Sequence, residues 1–139
     1  MDHLAILSKE RKLLSKILSG EKTVESRWYK FRRNPYENIS AGDSIYFKES
    51  GCPVTAKAKV GKVLFFDKLN KDKMREILEK YGDGICVPVS YAERHVGKNF
   101  CTLGWLEDGR SIDPFNIDKK GFGMMAAWIT VEDINSIRR

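Results

Sequence analysis

The chain is poor in the residues from which metal and disulfide sites are built. Three cysteines, Cys52, Cys86 and Cys101, are scattered along 139 residues, and the two histidines, His3 and His95, lie far apart. With no CxxC and no Cys/His ligand spacing, free thiols are expected, and neither a metal nor a disulfide framework. Long apolar runs are missing too. None approaches the roughly 20 residues that span a bilayer, so a membrane is not an expected partner. Met1-Asp2-His3 lacks the charged-then-apolar order of a secretory leader, which makes a cytoplasmic location the expectation. No repeat, low-complexity tract, linker or cofactor motif breaks the chain, and its length suits one domain over 1–139.

What is present is positive charge. Lysine and arginine number 25 against 19 acidic residues, a net charge of +6. Such a balance favours anionic partners, RNA among them. The basic residues crowd the first quarter of the chain: Lys9, Arg11, Lys12, Lys16, Lys22, Arg27, Lys30, Arg32 and Arg33.

Hydrophobic spacing sets the elements. Leu4 to Leu7 reads as a first strand. Ser8 is placed to cap a helix from Lys9 to Ser19, with Leu13, Leu14, Ile17 and Leu18 as its buried stripe and Gly20 as its stop. Thr23 to Trp28 reads as a strand. Ser44 to Lys48 and Val54 to Val60 alternate, and the second run continues past Gly61 through Phe66, as a bent barrel strand does. Asn70 caps a helix that Gly82 should stop, with a staple between Leu69 and Met74. Ser90 and Glu93 spell a capping box. Phe100 to Leu106 reads as a strand ended by a turn at 107–110, Met125 to Thr130 as the last strand, and a short closing helix follows. The sum is an α+β fold: a small, mostly antiparallel β-barrel with helices packed at its side.

The densest chemistry sits in Gly20-Glu21-Lys22-Thr23-Val24-Glu25-Ser26-Arg27, between a basic helix and the aromatic, arginine-rich segment Trp28 to Tyr36. It is the expected floor of a charged cleft. Strand parity places Glu25 and Arg27 on one face and Lys22 with Val24 and Ser26 on the other. The modest interpretation is an ion-pair network at a strand start. The functional one has Lys22 and Arg27 facing a phosphate or base, while Glu25 orients them or accepts from an exocyclic amine. Trp28 and Tyr29 beside Arg32 and Arg33 suit stacking on single-stranded nucleic acid, with Trp28 the first choice for an exposed ring. Lys48 is a candidate for the cleft wall.

This run resembles the GxKxxExR signature of ASCH domains, of the PUA-like superfamily, in Gly20, Lys22, Glu25 and Arg27. The order of elements around it is similar as well. The resemblance implies a PUA-type barrel with a cleft between barrel and helices, and RNA binding linked to transcription coactivation or RNA processing. Some small members deacylate a modified cytidine, using the motif lysine, a threonine where this chain has Glu25, and a later glutamate. Others are reported to cut RNA. Because Glu25 replaces that threonine and Thr23 is out of register, an RNA-binding module that reads RNA or a modified nucleotide is the leading expectation. The alternative is a metal-independent hydrolase of a modified nucleoside or of RNA, with Lys22 and Glu25 catalytic. A protein-interaction module using residues 28–36 is the third reading.

Overall fold

The computed structural model describes all 139 residues. Six strands form one sheet: β1 (Asp2–Leu7), β2 (Val24–Tyr29), β3 (Ser44–Glu49), β4 (Val54–Phe66), β5 (Phe100–Phe115) and β6 (Trp128–Val131), in the order β2-β5-β4-β3-β1-β6. Only β1 and β3 run parallel; the other neighbours are antiparallel. The sheet curls into an incomplete barrel.

Its interior follows the alternation of the sequence. Ala5, Leu7, Ile45, Phe47, Ala56, Ala58, Val60 and Trp128 face inward and join one cluster. Phe47 pairs with Ala5 on one side and Ala56 on the other. Two methyl side chains thus leave room for a fully buried ring, the small-large-small order a tight barrel needs. Helix α1 (Leu13–Ser19) closes one end of the barrel with Leu13 and Ile17. Helix α2 (Lys71–Ile85) and the one-turn α3 (Tyr91–Arg94) cover the outer face of β2 and β5 through Met74, Ile77, Leu78, Ile85 and Ala92 against Val24, Trp28, Cys101 and Leu103. A closing 3-10 turn, Ile134–Ile137, covers the outer face of β1 and β6. No helix is long and apolar enough to cross a membrane.

Several expected boundaries move, each for a local reason. Lys12 adopts left-handed backbone at φ 53°, so α1 begins at Leu13 rather than Lys9. Gly82 does not stop α2; it is buried, and a Cβ there would stand 3.1 Å from the Val87 carbonyl oxygen. The helix runs on to Ile85 and ends at Cys86, left-handed at φ 66°. The capping box at Ser90 does not form: Ser90 itself has helical backbone, at φ −60° and ψ −15°, and Glu93 pairs with Arg75 at 2.7 Å. The expected turn at 107–110 is a bulge within β5. Lys57 pairs with Arg110 and Lys59 with Glu107, so Asp108 and Gly109 oppose one residue, and Asp108 takes the positive φ of 52°.

The sheet's two edges, β2 and β6, face one another across a seam without strand pairing. A side chain bridges it. The Arg27 guanidinium donates from Nη1 to the Ala127 carbonyl at 3.3 Å and lies 5.1 Å from the Trp128 ring centre.

Candidate functional site

Three backbone contacts bring the motif together. Gly20, at φ 84°, ends α1 and lets the Lys22 N–H reach the Lys16 carbonyl at 2.9 Å. The Thr23 N–H donates to the Gly84 carbonyl at 2.9 Å, tying the motif to the last turn of α2. That approach requires glycine, because a Cβ at position 84 would stand 2.8 Å from Thr23 Oγ1. As a result Lys22 lies at the carboxyl end of α2, and its ammonium donates to the Ile85 carbonyl at 2.7 Å. A cation there satisfies an unpaired helix carbonyl and meets the negative end of the helix dipole.

Lys22 is 3% exposed and Glu25 6%. Burial holds the Lys22 pKa below the usual lysine range, against the opposing fields of Glu25 and Cys86; Arg11 and Arg27 lower it further. Glu25 and Arg27 share the inner face of β2. Glu25 Oε1 stands 3.6 Å from Arg27 Nε, an ion pair too long for a hydrogen bond. Glu25 Oε2 and Arg27 Nε are both buried without a protein partner. Buried polar atoms nearly always have one, so two on the same pair of side chains are informative.

Two hollows flank this group. One, of about 400 Å³, is lined by Arg11, Cys86, Val87, Pro88, Tyr91, Arg94 and His95. Within it Tyr91 and His95 stack at 3.8 Å. The other, of about 300 Å³, opens at the seam beside Tyr29, Arg33, Phe122, Trp128 and Thr130. Lys22, Glu25 and Arg27 line neither. The expected open cleft floor is therefore corrected: the three converge, but as a buried core between two hollows. Lys22 joins the other two because it precedes β2 and escapes its parity.

The remaining candidates divide. Trp28 is corrected: at 6% exposure it packs on the α2 face beside Tyr91, its indole N–H donating to Ser26 at 3.0 Å. The exposed ring of this segment is Phe31, 72% exposed, with Lys30 Nζ 5.5 Å from its centre. Tyr29 and Arg33 meet at the seam, the guanidinium 5.0 Å from the ring centre. Arg32 is exposed and pairs with Glu37 at 3.1 Å. Lys48, on β3, has Lys119 as its charged neighbour rather than the motif; its pKa is lowered by burial and by that like charge. Sequence reasoning counted Arg11 only among the clustered basic residues and Cys86 only as a free thiol. Nothing local marked either, since tertiary packing alone sets them beside Lys22.

No family model matches this chain, and no curated protein does. Solved structures do. An ASCH protein from Zymomonas mobilis superposes with a TM-score of 0.70 over 99% of this chain and 96% of that one, at 20% identity. A tyrosine-to-phenylalanine variant of that protein gives 0.71 over 97% and 93%, also at 20% identity. Protein EF3133 from Enterococcus faecalis gives 0.54 over 77% and 72%, at 14% identity. At these identities the likeness is one of fold, and the fold is that of the ASCH proteins.

Proposed function

With the ASCH-type fold as premise, we propose that this chain is an RNA-binding module in which a base or modified nucleotide enters from the seam hollow and, by displacing the Arg27 contacts with Ala127 and Trp128, reaches Glu25 and Arg27 with Lys22 behind them. The unpartnered oxygen Glu25 Oε2, beside the Arg27 guanidinium that faces the other carboxylate oxygen, carries the reading. A carboxylate oxygen is an acceptor and a guanidinium N–H a donor, and the two together match the edge of a nucleobase. The approach is basic and aromatic: Arg33 lies over Tyr29, and Phe31 stands exposed beside Lys30. Phe31 takes the stacking role first expected of Trp28.

Hydrolysis of a modified nucleoside or of RNA is the second reading. The lowered Lys22 pKa favours it, since a lysine that deprotonates more easily is more often present as the free amine that general-base catalysis needs. RNA is the partner class this function implies.

Fluorescence anisotropy with a short single-stranded RNA tests the binding reading. With three or four phosphates contacted, affinity should fall roughly 20- to 50-fold between about 50 and about 200 mM salt. Phe31→Ala should remove about 1–3 kcal/mol. Affinity that ignores salt, or no affinity for any RNA, would overturn it.

A further inference from the structure

The antiparallel pairing of β1 with β6 sets His3 opposite Thr130 on the inner face of the barrel. His3 is fully buried. Its Nδ1 lies 3.0 Å from Thr130 Oγ1, and its Nε2 lies 2.9 Å from Asp43 Oδ2. A carboxylate can only accept, so Nε2 carries the proton and Nδ1 is left as an acceptor facing the hydroxyl. The Trp128 indole N–H is shared between Thr130 Oγ1 at 3.2 Å and His3 Nδ1 at 3.3 Å. Burial lowers the His3 pKa, outweighing the opposing effect of Asp43, so the ring is a neutral base at neutral pH. These are the relations of a hydroxyl, a base and an orienting carboxylate in nucleophilic catalysis, recognised by geometry and role rather than by order in the chain.

Thr130 is half-buried, and unlike His3 it lines the seam hollow, beside Tyr29, Arg33, Asn34, Phe122 and Trp128. Thr130 is thus the member of the network that reaches both the buried imidazole and the hollow. We propose that Thr130, with His3 as base and Asp43 behind it, forms an acyl-transfer site for small esters. The inference goes beyond nucleic-acid binding and does not depend on it.

The lining selects acyl over phosphoryl chemistry. Phosphoryl transfer needs several cations or a metal to hold the charge of its transition state. The seam hollow has a mixed lining, with Arg33 as its one cationic side chain. Asn34 Oδ1 is taken by the Asn38 amide at 2.9 Å, leaving the Asn34 amide N–H groups as further donors for a developing oxyanion.

The steps balance without a co-reactant other than water. Thr130 Oγ1 attacks the acyl carbon and its proton passes to His3 Nδ1. The indole N–H of Trp128 then points to the oxygen alone, and the imidazolium is held at Nε2 by Asp43. Collapse of the tetrahedral intermediate breaks the bond to the alcohol, which leaves with the proton from Nδ1. Water, deprotonated by the same nitrogen, then attacks acyl-Thr130, and the acid is released with the hydroxyl restored.

The test is p-nitrophenyl acetate with the full chain, read by nitrophenolate release and by peptide mapping of the trapped protein. One acetyl group is expected on Thr130. Release should fall at least roughly 100-fold in Thr130→Val and in His3→Gln, and Thr130→Ser should restore it. Thr130→Val keeps the side-chain shape, so the test stands even where His3→Gln fails to fold. Acetyl on lysines alone, or release unchanged in Thr130→Val, would overturn the proposal.

Discussion

Replacing Arg27 by methionine is expected to cost about 3–5 kcal/mol of stability, the range for removing one partner of a buried ion pair. The carboxylate of Glu25 would stay buried at 6% exposure, with Lys22 as its remaining nearby cation and that ammonium already committed to the Ile85 carbonyl. The variant also loses the hydrogen bond to Ala127 and the contact with the Trp128 ring, the side-chain links between β2 and the segment entering β6. Methionine fills much of the volume, so lost charge compensation dominates over a cavity. Adding Glu25→Gln removes the stranded charge, and the double variant should recover most of the loss. Urea denaturation reads this as a shift in midpoint at constant slope. A single-variant cost below about 1 kcal/mol, the level of an exposed pair, would mean that the pair is solvated and the seam open.

Trp128→Ala is the second large effect, again about 3–5 kcal/mol. The ring is 8% exposed and belongs to the barrel interior. Arg27 lies over it at 5.1 Å, and His3 packs against it with ring centres 5.5 Å apart. Its indole N–H is the donor shared by Thr130 and His3. Alanine therefore empties volume inside the barrel, where pairing of β6 with β1 holds the backbone in place and limits collapse. Trp128→Phe keeps most of the apolar area and loses the donor, so its cost should be nearer 1 kcal/mol. Equal costs for the two variants, compared by thermal unfolding, would show that the hydrogen bonds rather than the ring hold β6 to the barrel.

Where a single physical signal decided an element, the sequence could be read directly. Alternation placed Ile45 and Phe47 inside, and the bent run through Gly61 is one strand, β4. Leu69 and Met74 share a cluster as a staple requires, and Asn70 caps α2 by accepting from the Lys73 N–H at 2.8 Å. Parity also held the key to Trp28. It shares the side of Val24, the face that α2 covers, and opposes Glu25 and Arg27. Proximity to the motif in sequence was the wrong guide to its exposure. Glycine misled at position 82 because the signal for a helix stop is the same as the signal for close packing, and only the Val87 carbonyl tells them apart. Glu107 to Arg110 had turn composition, but pairing with β4 on both sides carried the strand through it.

The candidate site was legible as a set of residues and not as a shape. The motif named Lys22, Glu25 and Arg27, while their burial follows from the Gly84 contact some 60 residues onward in the chain. The His3, Asp43 and Thr130 arrangement left no local trace. Its ends are 127 residues apart, and pairing of the first strand with the last creates it.

The central claim is that Glu25, held by Arg27, keeps an unpartnered carboxylate oxygen for a base, and nucleotide discrimination tests it most directly. Cytidine and uridine monophosphates would be titrated calorimetrically against the wild-type chain and Glu25→Gln. Cytidine carries the exocyclic amine that a carboxylate accepts, so it should bind tighter by about 1–3 kcal/mol. Glu25→Gln, which offers a donor as well as an acceptor, should narrow that gap. Equal binding of the two nucleotides, or a preference untouched by the substitution, would contradict the role given to Glu25.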